Sequence, residues 1–210
     1  MKTNQDLITL SNVSKIIQNK QILKNVNAEF ECGKIYGIIG ENGSGKTMLL
    51  RAIAGLIHIS SGEICYAQKN ILMGVIIENP GFLLNYSGLQ NLKFLARIRN
   101  EISESQIRKV MCEIGLNPDD KRNVRQYSLG MKQKLAIVQA LMEEPNVLLL
   151  DEPFRGLDTI SLDRTIAALM KFKERGGMVV VTGHEQRDLI LPCDFLYQIY
   201  DGKLSGNSVY

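Results

Sequence analysis

A chain of 210 residues, 45% hydrophobic and 22% charged, suffices for one sizeable core with room for an inserted subdomain. Its 25 basic and 22 acidic residues leave a net charge of only +3 with no long basic run, which gives no support to nucleic-acid binding. Cys32, Cys65, Cys112 and Cys193 form no C-x-x-C pair, which argues against a disulfide framework or a zinc site; no signal peptide or span-length apolar run occurs, so a reducing cytosol is the expected setting.

Taken in chain order, Leu7 to Val13 and Ile22 to Phe30 carry the apolar and β-branched pattern of strands, separated by the polar tract Gln18 to Gln21. They predict a small N-terminal antiparallel β subdomain. Lys34 to Gly40 reads as a strand ending in glycine, and Lys46 to Ala54 as a helix stopped by Gly55. Short strands follow around Glu63 to Tyr66 and Leu72 to Ile77, before the loop signal Asn79-Pro80-Gly81. From Gly88 to Glu144 the pattern is helical, with Ser103 and Gln106 spaced as a capping box. Strands are predicted again at Val147 to Leu150 and Met178 to Thr182, flanking a helix over Thr159 to Arg175. This alternation gives an α/β core with a mostly parallel sheet covered on both faces. The expected division is an α/β core with its β subdomain over 1–78 and 146–210, and an inserted helical subdomain over 79–145. No repeat is visible, and the absence of a long extension after Tyr210 gives the expectation of no appended regulatory domain.

Three stretches carry chemistry. Gly40-Glu41-Asn42-Gly43-Ser44-Gly45-Lys46-Thr47 fits G-x-x-x-x-G-K-[ST] between a strand and a helix, the setting of a P-loop NTPase. Its glycines let backbone N–H groups wrap phosphates, Lys46 reaches the β- and γ-phosphates, and Thr47 can ligate Mg2+. Met48, next on the helix, is grouped with these nucleotide-binding residues. At the end of the Val147 to Leu150 strand, Asp151 is placed to hold the metal and Glu152 to take a proton from, or orient, an attacking water. Tyr127-Ser128-Leu129-Gly130-Met131 opens a helix with a capping serine and a glycine permitting close approach, a second anion-binding start. Taken alone, a plain helix cap explains that third stretch more cheaply than catalysis does.

In this order the motifs resemble those of the ABC-type ATPases over about Leu7 to Ser205. Ser128 and Gly130 match the family's LSGGQ signature, while Leu129 replaces its first glycine and Met131 its glutamine. The resemblance implies that Asp158, in Gly156-Leu157-Asp158, belongs to a loop crossing a dimer interface, and that His184 is a switch histidine beside the γ-phosphate. Glu78 stands where the family usually has a glutamine sensing Mg2+ and the membrane domain, and is grouped here with the metal residues. Its context looks like that of exporters for bacitracin and lantibiotic-type peptides. Ile17 lies near the place of an adenine-stacking aromatic ring, which leaves the choice between ATP and GTP open. His58 is assigned no chemistry.

The function implied is an ATP- and Mg2+-dependent hydrolase powering a separate integral membrane permease, with export of a peptide antibiotic or self-protection as cargo. Glu152, His184 and Lys46 are the catalytic candidates. The expected assembly is a homodimer or heterodimer of ATPase subunits with each nucleotide between one phosphate loop and the partner's Ser128 helix. The segment Asn79 to Leu92 and the helical subdomain would relay its motion. No nucleic acid and no direct membrane insertion are expected; the chain is placed in the cytoplasm, peripheral on the inner face of the membrane. The alternatives are a soluble ABC-type ATPase acting on nucleic-acid or ribosome events, a small-molecule kinase, and an ATP-binding assembly platform.

Overall fold

The computed structural model describes residues 6–69, 71–78, 81–99 and 101–208. The loop signal at Asn79-Pro80 lies outside these residues. The chain opens with β1 (Asp6–Ile17), β2 (Lys20–Glu31), β3 (Ile35–Ile39) and α1 (Lys46–Ile53). Then come β4 (Ser61–Tyr66), β5 (Met73–Ile76), α2 (Gly88–Arg99), α3 (Glu104–Ile114) and α4 (Leu129–Leu141). The last part is β6 (Val147–Leu150), α5 (Thr159–Glu174), β7 (Met178–Gly183), β8 (Phe195–Tyr200) and β9 (Lys203–Ser208).

Two sheets organise these elements: an antiparallel one in the order β2-β1-β4, and a larger one in the order β5-β6-β7-β3-β8-β9. The larger sheet is parallel from β5 to β8, and only β9 runs against its neighbour. The mostly parallel P-loop architecture expected from the sequence is therefore present. β1 and β2 run further than the sequence pattern predicts, because the polar tract between them is no loop. Only Gln18 and Asn19 turn, with φ of 47° and 63°, the geometry of a two-residue hairpin turn that follows strand twist.

Alternate residues of the central strands serve two cores, as period-2 geometry requires of a sheet covered on both faces. Val147, Leu149, Met178 and Val180 bury with Leu10, Phe30, Leu49 and Leu50, under α1 and the small sheet. Leu148, Leu150, Val179 and Val181 bury with Leu135, Ile137, Val138 and Leu169, under α4 and α5. Carrying the alternation one step beyond Leu149 and Val180 puts Asp151 and Thr182 on the α1 side of the sheet. This is what aims both at the start of α1.

Two local expectations change. Ser103 accepts the N–H of Gln106 at 3.3 Å, but the Gln106 side chain donates to the Met142 carbonyl at 3.4 Å rather than back to the cap. Half of the capping box is thus spent on tying α3 to the end of α4. The β8–β9 hairpin was not predicted, although its turn, Asp201-Gly202 with φ of 46° and 75°, carries a strong hairpin dipeptide.

Candidate functional site

The loop from Gly40 to Gly45 joins the C-terminal end of β3 to the first turn of α1. Glycine is required at Gly40, where a Cβ would stand 2.4 Å from the Ile199 carbonyl oxygen, and favoured at Gly45, whose φ is 116°. Ser44 Oγ is buried and has no hydrogen-bond partner among the described residues, an orphan that a bound phosphate oxygen would satisfy. Lys46 is only 5% exposed, and its Nζ donates to the carbonyls of Gly40 at 2.5 Å and Glu41 at 3.1 Å. Burial lowers its pKa, against the opposing pull of Glu152 and Asp151. The ammonium is therefore held on the loop's own oxygens, ready to exchange them for phosphate. Asn42 faces the cavity lined by Glu152 and His184. The Met48 side chain packs against the α1-side core, so only its backbone stands at the helix start.

A relay of hydrogen bonds fixes the carboxylates. Thr47 Oγ1 donates to one oxygen of Asp151 at 2.7 Å, and Thr182 Oγ1 donates to the other at 2.6 Å. Thr182 Oγ1 in turn accepts the backbone N–H of Glu152 at 3.1 Å. Glu152 has φ of 48°, a left-handed conformation uncommon for a side-chain-bearing residue and typical of functional turns. Its Oε1 lies 3.0 Å from His184 Nε2. Of the predicted metal, base and switch residues, Thr47, Asp151, Glu152 and His184 are thus linked through a threonine that the sequence reading passed over, and Glu78 is not.

The second anion-binding start sits close by. Ser128 caps α4, accepting the Met131 N–H at 3.2 Å, and Leu129 beside it is 58% exposed. At Gly130 a Cβ would be 2.6 Å from the Gly156 carbonyl oxygen, so the helix start and the Gly156–Asp158 loop lie in direct backbone contact. The Asp158 carboxylate caps α5 through the N–H of Ser161 at 2.9 Å and its hydroxyl at 2.8 Å. The Ser161 N–H, followed by the hydroxyl, holds that carboxyl below the usual carboxylate range. Among the described residues, the side-chain hydrogen bonds of Ser128 and Asp158 stay within their own helix caps.

Glu78 shares a cavity with Asp151, Glu152, Gln133 and Arg155. Its carboxylate is nevertheless paired with Arg51 at 2.7 Å, not with Thr47 or Asp151. Three residues of the site escaped sequence reasoning. Thr182 lies next to the end of a buried strand, where a polar residue is a usable signal; Arg51 and Arg155, the latter 4.0 Å from Glu152, read as ordinary surface charge. Ile17 is exposed at the end of β1, and His58 is exposed, its carbonyl accepting from Lys15 Nζ at 2.6 Å.

Comparison with known proteins decides which family the chain belongs to. The family described as ABC transporter matches residues 23–155, and the ATP-binding protein YybJ of Bacillus subtilis (strain 168) is 37% identical over 206 residues, 94% of each chain. The chain belongs to the ABC transporter ATP-binding family. Among its ABC transporter relatives, the lantibiotic transport ATP-binding protein SrtF of Streptococcus pyogenes is 34% identical over 94% of this chain and 89% of its own. The bacitracin transport ATP-binding protein BcrA of Enterococcus faecalis is 32% identical over 94% of this chain and 68% of its own. In fold, this ABC transporter subunit superposes on the dimeric bacterial cassette MJ0796 with a TM-score of 0.86 and 22% identity, covering 97% and 99% of the two chains. As an ABC transporter ATPase it binds and hydrolyses ATP.

Proposed function

We propose that the chain powers a separate membrane permease as one half of an ATPase dimer, either homodimer or heterodimer, with two nucleotides sandwiched between the halves. The observation that carries this reading is the meeting of the phosphate loop with the Thr47–Asp151–Thr182–Glu152 relay. Gly40, Asn42, Gly43, Ser44, Gly45, Lys46 and the Met48 backbone line the triphosphate. Ser128 and Gly130 of the partner close over it. Asp158 caps the helix that follows the interface loop, fixing that loop's exit.

Mg2+ fits the oxygens present. Among the described residues no group of three or more His, Cys, Asp or Glu forms a metal cage, but Mg2+ commonly takes one or two protein oxygens and completes its shell with substrate phosphates and water. Thr47 and Asp151 would hold it, and Glu78 would join them only by leaving Arg51. When bound, the ion neutralises charge on the β- and γ-phosphates. The chain's own groups then do the rest. Lys46 moves from the Gly40 and Glu41 carbonyls to the phosphates. Glu152, held by Thr182 and facing His184, orients a water and takes its proton. The water oxygen bonds to the γ-phosphorus as the bond to the bridging oxygen breaks, and ADP departs with phosphate.

Residues 1–78 and 146–210 serve as the catalytic core in this proposal, and 79–145 as the relay. An apolar groove of about 350 Å³, lined by Leu56, Val75, Ile77, Phe82, Leu83, Phe94 and Leu95, supports docking of a permease segment there, since exposed apolar concavities mark partner sites. Among the described residues no helix is long and apolar enough to cross a membrane. The subunit is then peripheral, bound to the cytoplasmic face through its permease. The names of SrtF and BcrA, together with Glu78, favour export of a peptide antibiotic as the transported load.

Phosphate release from Mg2+-ATP tests the catalytic reading. Wild-type turnover that is lost in Glu152→Gln, with ATP binding retained, supports it. Equal release by both proteins contradicts it.

A further inference from the structure

Arg51 and Thr47 stand four residues apart on α1, and such residues share one helix face, a single turn from each other. Thr47 bonds Asp151, while Arg51 bonds Glu78 at 2.7 Å. Glu78 has φ of 61° and lines the same cavity as Asp151 and Glu152. Three carboxylates therefore border the space beside the triphosphate, and one of them carries a counter-charge supplied by α1. The guanidinium is only partly exposed, at 33%, against 62% for the carboxylate, so the arginine is the better-anchored partner.

We propose that Arg51 is a positioning residue for Glu78: it holds the carboxylate one helical turn from the Thr47–Asp151 pair, so that the charge of Glu78 is not added to those of Asp151 and Glu152 beside the triphosphate. This rests on nucleotide binding at the phosphate loop, as argued above. The charge arithmetic is simple. A carboxylate released towards the phosphates repels them, the repulsion is strongest when no cation is present, and a divalent cation in the site can absorb it. A glutamate at this position is thus tolerated because of the residue at 51. The pair also ties the phosphate-loop helix to the strand end that leads into the apolar groove, since Ile77 lines that groove next to Glu78.

The test is a double-mutant cycle on the full chain, read as affinity for a fluorescent ATP analogue in EDTA and again in Mg2+, with far-ultraviolet circular dichroism confirming the fold. Arg51→Gln should weaken binding in EDTA by about three- to fivefold, the scale of a partly exposed ion pair, and by less in Mg2+. Arg51→Lys should stay within about twofold of wild type, as should the double variant with Glu78→Gln, because neutralising Glu78 removes the need for its partner. An Arg51→Gln protein that binds like wild type overturns the proposal. So does a loss that persists undiminished in the Glu78→Gln background, or a failure of both Arg51→Gln and Arg51→Met to fold that Glu78→Gln does not relieve. If wild type and Lys46→Ala bind the analogue equally, the phosphate-loop reading itself falls, and the role of Arg51 with it.

Discussion

The Thr182 hydroxyl accepts the Glu152 N–H and donates to Asp151, so it sets both the carboxylate proposed to hold the metal and the residue proposed to handle water. Thr182→Val keeps the shape but leaves an oxygen and an N–H unpaired in a partly buried place. The expected cost is about 1–3 kcal/mol, read as a fall in Tm of roughly 3–10 °C for a chain of this size. ATPase activity should drop at least about tenfold, and Thr182→Ser should restore both. His184→Ala should lower kcat while leaving ATP affinity near wild type, because His184 Nε2 is paired with Glu152, the residue proposed to orient water; an affinity loss equal to the rate loss would contradict that placement. Lys46, Thr47, Asp151 and Glu152 were legible in the sequence because motif spacing and a buried strand dictate where they fall. Thr182 and Arg51 were not. A strand-end hydroxyl and a helix arginine look the same whether they serve a site or solvent, and only the three-dimensional register brings them to their carboxylates.

Elements were legible where a pattern was long or bounded by glycine. β3, α1, β6 and β7 fall within one residue of their predicted limits, since apolar runs and the phosphate-loop glycines bound them. β1 and β2 extend beyond their apolar stretches because exposed polar residues pair in the hairpin as readily as apolar ones. The β8–β9 hairpin went unread despite its Asp-Gly turn, and Met48, assigned to the nucleotide, turns its side chain into the core because of its place on α1. The contact between α4 and the loop before α5 makes a prediction at this scale. Gly130→Ala would force a methyl to within 2.6 Å of the Gly156 carbonyl, and backbone cannot yield as a side-chain tip does. A destabilisation of about 1–3 kcal/mol is expected from such overpacking, measured by urea unfolding, together with loss of ATP-dependent assembly. An unchanged midpoint would show that the two segments are not rigidly packed.

For the whole molecule, the proposed arrangement draws the contacts of one nucleotide from two chains. Asn42, Glu152 and His184 share a cavity rim, whereas Ser128 is exposed at the head of α4 and already satisfied as a cap. In the proposed dimer a second copy or a related subunit completes the arrangement, and ATP would join the halves because its γ-phosphate would have contacts on both sides. Removing Mg2+ with EDTA should stop phosphate release while leaving nucleotide binding measurable, since the loop, Ser44 and Lys46 contact phosphate directly in this account; release that continues undiminished in EDTA would contradict the metal assignment.

The most direct measurement is light scattering on purified Glu152→Gln protein with and without Mg2+-ATP. The account predicts that ATP converts monomer to dimer, and that adding Ser128→Arg abolishes the conversion without abolishing ATP binding. A protein that binds ATP yet keeps one mass throughout, or a dimer indifferent to Ser128→Arg, would contradict the shared nucleotide sites.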